Sequence, residues 1–168
     1  MALSEQTITA VRHAVSCRLA GTAVEPLSLQ DFRIDDSQGI IACMTEVMRV
    51  GCITYYEAVY CDRTVLVKVV PLHRRTDGGL QEKDEDQHLE GCWMDATILG
   101  SFIHDSIASF YGACFHEDSL MLVVEYCKKL TLKHALRRTD MSWPMKLCLA
   151  RDVLKGLAAL HADLIGHW

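Results

Sequence analysis

No two of the eight cysteines stand at C-x-x-C spacing, and no apolar segment opens the chain. That pattern argues against a disulfide framework and for reduced, mostly buried thiols at Cys17, Cys43, Cys52, Cys61, Cys92, Cys114, Cys127 and Cys148. His88 and Cys92 are four apart and could share a helix face, but two ligands do not make a zinc site, so no metal is expected. Basic runs are missing as well: Arg74-Arg75 and Arg137-Arg138 are doublets, and the net charge is −5. No nucleic-acid partner is expected on that balance. No apolar run approaches membrane-spanning length; Leu120 to Val124 is a strand-sized piece. The expectation is a cytoplasmic chain with no membrane partner. Repeats, low-complexity tracts and a strand–glycine–helix unit for dinucleotides are all lacking.

What is present is a folded composition: half of the 168 residues are apolar and 23% are charged. This suits one domain, or a piece of a larger one. Residues 1 to 38 read as a flank. Ile8, Val11, Val15 and Leu19 predict an amphipathic helix ending near Gly21, and Glu25-Pro26 and Asp35 to Gly39 read as linker and turn. Strands are expected over Glu46 to Gly51, Tyr55 to Tyr60 and Thr64 to Val70, the last two joined through Cys61-Asp62-Arg63. A polar stretch, His73 to Gln87 with a turn at Asp77-Gly78-Gly79, leads into a helix striped by Leu89, Cys92, Ala96, Leu99 and Phe102. Two more strands follow, around Ala108 to Phe115 and Leu120 to Tyr126, with a turn at His116 to Ser119. Thr131 caps a short helix, and Ser142-Trp143-Pro144 opens a long one lined by Met145, Cys148, Val153, Leu157 and Leu160.

The strand Thr64 to Val70 holds a single lysine among apolar neighbours. Alternation puts Leu66, Lys68 and Val70 on one face and Val65, Val67 and Val69 on the other. An ammonium in a buried strand needs an anion, either a helix carboxylate or a phosphate. Asp95 lies beside the apolar stripe of the following helix, 27 positions on.

Val65-Leu66-Val67-Lys68 resembles the V-A-I-K segment of protein kinases. Tyr56-Glu57-Ala58-Val59-Tyr60 is similar to the strand before it. Ile98-Leu99, His104, Ile107 and Phe110-Tyr111-Gly112-Ala113-Cys114 resemble the end of the kinase C-helix and the fourth strand. Leu122 to Cys127 resembles the fifth strand and hinge, and Leu149 to Val153 through Gly156-Leu157, Leu160 and His161 the helix before the catalytic loop. The order of motifs over residues 46 to 168 is similar to the N-lobe and first C-lobe helices of the family. Phe110 to Cys114 and the Trp143 helix point to its tyrosine-kinase-like serine/threonine branch.

The resemblance implies an α+β fold, a five-stranded antiparallel sheet with a C-helix (39–126), then hinge and first C-lobe helices (127–168). It implies ATP as cofactor and a protein as substrate or partner. Lys68 takes the α/β-phosphates and pairs with Asp95 at the position of the family's glutamate. Aspartate is one methylene shorter, so pairing asks the helix to sit about 1 Å further in. Glu125 and Cys127 offer hinge backbone to adenine, and Val124 guards the back of the pocket. Departures from the family weaken the expected ATP affinity. Only Gly51 remains of the glycine-rich loop, Leu66 replaces alanine, and Tyr55 replaces a small roof residue. His167 resembles the catalytic-loop histidine, but Trp168 stands where arginine belongs. The catalytic aspartate, its asparagine and the D-F-G aspartate that holds magnesium are not in the sequence, so Mg belongs to a full-length parent. The expectation is the ATP-binding lobe of a truncated kinase, inactive by itself. The alternative is a pseudokinase-like module that binds a protein through its long helix.

Overall fold

The computed structural model describes residues 5–20, 22, 24–25, 33–34, 37–71, 83–127, 131–137 and 141–164. The expected Gly21 helix end, the Pro26 linker, the Asp35-Asp36 turn, the 73–82 stretch with its glycine turn, and His167-Trp168 lie outside these residues. In chain order the elements are α1 (Glu5–Arg18), α2 (Ser37–Ala42), β1 (Thr45–Val50), β2 (Ile53–Tyr60), β3 (Arg63–Pro71), α3 (Lys83–Ser101), β4 (Phe110–His116), β5 (Ser119–Glu125), α4 (Leu132–Arg137) and α5 (Trp143–Leu164).

The strands form one antiparallel sheet in the order β1-β2-β3-β5-β4, as the sequence predicted for a kinase-like N-lobe. Two-residue turns set the hairpin registers. Gly51 takes a positive φ of 60° between paired Val50 and Ile53, a position where a side chain is disfavoured. Cys61 and Asp62 close β2 onto β3 with φ of 48° and 59°, although neither is glycine.

β3 is central, paired with β2 on one side and β5 on the other, which is why its two faces are so apolar. One face carries Val70, with Leu120 and Leu122 of β5 and Ala113 of β4, against Leu89, Cys92, Trp93 and Ala96 of α3. The opposite face carries Val65 and Val67 with Met121, Val123 and Cys114, covered by Ile34 and Ile40. α2 therefore corrects the reading of Asp35 to Gly39 as linker and turn: from Ser37 the chain is helical. A six-residue helix containing Gly39 has no propensity signal of its own. Its helical form follows from Ile40, buried on the sheet, a tertiary contact no local pattern announces. Beside it, Arg33 bridges in parallel to Ala113, and Ile34 N–H donates to the Ala113 carbonyl at 3.1 Å.

The connection from α3 to β4 is built on His104, whose Nδ1 accepts the Ser106 N–H at 3.0 Å and whose carbonyl accepts the Ile107 N–H at 2.9 Å. α5 docks on this connection. A Cβ on Gly156 would lie 2.9 Å from the Ser106 carbonyl oxygen, so only glycine permits the approach.

Candidate functional site

The sheet face under α3 runs in rows. Cross-strand pairing sets Tyr55 opposite Lys68 and Lys68 opposite Leu122. Two residues towards the end of β5, Leu66 is paired with Glu57 on one side and Val124 on the other. Alternation makes these one face, so Tyr55, Leu66, Lys68 and Val124 share the surface that α3 partly covers. Tyr55, Leu66 and Val124 are only half-buried, leaving apolar surface accessible at the hinge end of the sheet.

Lys68 Nζ lies 2.9 Å from Asp95 Oδ2, so the structure brings together the two residues singled out from the sequence. The lysine side chain is 17% exposed and the aspartate 58%. Burial pulls the ammonium down, but the hydrogen bond to Asp95 and the fields of Cys92, Asp95 and Tyr55 outweigh it. The Lys68 pKa thus lies above the ordinary lysine value, and the group is fully charged at neutral pH. A covered ammonium held by an exposed carboxylate makes an anchored cation on this face.

Cys92, one helical turn before Asp95, is buried against the same lysine. Burial raises its thiol pKa, with Lys68 opposing, so it is a neutral thiol at pH 7. Sequence reasoning placed Cys92 on the apolar stripe of α3 and missed that it borders Lys68. The three-residue spacing to Asp95 was the available signal.

At the hinge, β5 ends on Glu125, whose N–H donates to the Ser109 carbonyl at 2.8 Å while its carboxylate accepts the Ser109 N–H at 3.1 Å. Burial, then the nearby Glu57 carboxylate of β2, raises the Tyr126 pKa. Cys127 follows as an exposed residue where the chain leaves the sheet. The Ser109 clasp was not anticipated, because it joins residues far apart in sequence. Gly51 sits exposed at the tip of the β1–β2 hairpin, with nothing within 4 Å of where a Cβ would stand. Its role visible here is the turn.

Among the described residues, no group of three or more His, Cys, Asp or Glu converges as a metal site. No described helix is long and apolar enough to cross a membrane.

Residues 43–167 match the family model described as protein tyrosine and serine/threonine kinase. Over 168 aligned residues, covering 95% of this chain and 21% of the relative, the chain is 25% identical to the probable serine/threonine-protein kinase drkC of Dictyostelium discoideum. It is 34% identical over 74 residues to the dual specificity testis-specific protein kinase 1 of Mus musculus, covering 44% of this chain and 12% of that one. Guanylate cyclase 2G of Rattus norvegicus shares 38% identity over 71 residues, 41% of this chain and 6% of its own length. The chain thus spans about a fifth or less of each of these relatives. Sheet order, the lysine–carboxylate pair and the family match agree: the chain belongs to the protein tyrosine and serine/threonine kinase family, as a partial kinase domain made of the N-lobe and the helices that follow it.

Proposed function

We propose that this chain is the ATP-binding lobe of a serine/threonine kinase of the tyrosine-kinase-like branch, working in the cytoplasm on a protein substrate or partner. The observation that carries the reading is the 2.9 Å contact between Lys68 and Asp95. It fixes a charged amine on the sheet face that also carries the half-buried Tyr55, Leu66 and Val124. Lys68 would take the α/β-phosphates, with Asp95 holding it in place. Leu66, Tyr55 and Val124 would pack on the adenine, and backbone groups of Glu125 and Cys127 would meet its edge. Gly51 is the only glycine of the β1–β2 hairpin, so affinity would rest on Lys68 more heavily than on a backbone cradle there. ATP would supply the phosphoryl group. The 168 residues contain no H-R-D-(x)4-N and no D-F-G segment. The residues present therefore bind and orient nucleotide, and transfer needs groups they do not include.

A thermal-shift titration with Mg-ATP tests this. The expected result is a rise in melting temperature at millimolar ATP that disappears in Lys68→Met; no rise in the parent chain counts against nucleotide binding. A second reading, a non-catalytic protein-binding module, is favoured by one observation. α5 exposes Trp143 at 70% and Leu154 at 62%, with Leu147, Val153 and Leu157 beside them, more apolar surface than a solvated helix carries. Absence of the ATP shift would favour that reading.

A further inference from the structure

We propose that α1 is the positioning element for the Lys68–Asp95 contact, and that Arg18 is its handle on α3. The inference rests on the reading of that ion pair as the nucleotide anchor. A pair whose acid is more than half exposed contributes little and does not hold a nineteen-residue helix down by itself. Asp95 is also too short to follow Lys68 if α3 lifts. The apolar stripe of α3, with Leu89, Cys92, Trp93 and Ala96 buried, packs it onto the sheet, and α1 adds its own residues to that same cluster.

Val11, Val15 and Leu19 fall on one face of α1 and its end, and all three are buried in the cluster that contains Leu89, Cys92, Trp93 and Ala96 of α3. Beyond Arg18 the chain turns on Thr22, whose N–H and hydroxyl both donate to the Leu19 backbone carbonyl, at 2.9 and 2.8 Å. Val24 then returns into the same cluster. Arg18 Nε meets Glu90 Oε1 at 2.7 Å; Glu90 is only 15% exposed, so the guanidinium answers a largely covered carboxylate. α3 is thereby held between the sheet and α1. Glu90 lies five residues before Asp95 on the same helix, and Cys92 lies between them against Lys68. If α1 lets go, α3 is free to rise, the Lys68–Asp95 contact opens, and the Cys92 thiol is uncovered.

Cys92 is therefore the reporter, and Cys114, buried on the opposite face of the sheet, is the control for general unfolding. The experiment is alkylation of the full chain by N-ethylmaleimide under native conditions, read site by site by peptide mass spectrometry. Arg18→Glu is expected to speed modification of Cys92 about tenfold while Cys114 keeps its rate. Adding Glu90→Arg to that variant reverses both charges and is expected to restore the parent rate. An unchanged Cys92 rate in Arg18→Glu, a parallel rise at Cys92 and Cys114, or no recovery in the charge-swapped double variant would each overturn the proposal. Mg-ATP thermal shifts on the same proteins separate the two readings. Absence of any shift, with Cys92 responding as expected, counts against nucleotide binding and leaves the clamp standing.

Discussion

Lys68 is covered and Asp95 is open, and this asymmetry decides what each substitution does. Lys68→Met removes a charge from a poorly solvated place and fills the space with a similar chain, so stability should change by no more than about 1 kcal/mol. Asp95→Ala leaves the ammonium behind without its carboxylate and should cost about 1–2 kcal/mol. Urea denaturation of both variants checks the order; a larger loss in Lys68→Met would contradict it. Cys114 makes a second prediction. Burial pushes its thiol up to about 11 from near 9, so the unfolded chain gives up that proton first. The resulting stabilisation is complete below about pH 9 and lost as pH rises through 11, at most about 2–3 kcal/mol. Cys114→Ala should flatten that part of the alkaline stability profile, and an unchanged slope would count against it. Lys68, also raised, loses its share only as pH climbs past the ordinary lysine value. The lysine and its acid were legible in the sequence because strand alternation and helix spacing are local. That Cys92 shares their space was not, since it depends on how α3 rotates over the sheet.

Elements show the same division. The five strands, α4 and α5 were readable from period and turn residues, to within a few positions at their ends, whereas α3 begins at Lys83, inside the stretch His73 to Gln87 read as a loop. α2 was not, because six residues with a central glycine gain their helix from the sheet beneath Ile40. Two glycines in helices give opposite predictions. Gly91 in α3 has nothing within 4 Å of a new Cβ, so Gly91→Ala should raise stability by about 0.5–1 kcal/mol. Gly156 in α5 has the Ser106 carbonyl at 2.9 Å, and a backbone atom does not swing aside. Gly156→Ala should lower stability by about 1–2 kcal/mol despite its better helix propensity. Thermal melts of the two variants side by side check this; equal effects would mean that α5 does not rest on the 102–109 connection as seen here.

For the molecule as a whole, chain that precedes the sheet contributes to the cover of both its faces. α1 reaches the first face through α3, and Ile34 with α2 seals the second. The apolar pattern of α1 was visible as an amphipathic helix, but its partner was not, since one helix stripe does not name the surface it meets. Kinase ancestry was legible because its motifs sit within elements and their order survives without tertiary information. The account turns on Lys68 being an anchored cation that meets nucleotide. Its most direct test is footprinting of Lys68 with an amine-acylating reagent at a pH where surface lysines react, followed by peptide mass spectrometry, with and without millimolar Mg-ATP. The account predicts that ATP slows acylation of Lys68 severalfold while Lys155 on α5 is unaffected. A Lys68 rate indifferent to ATP would contradict it.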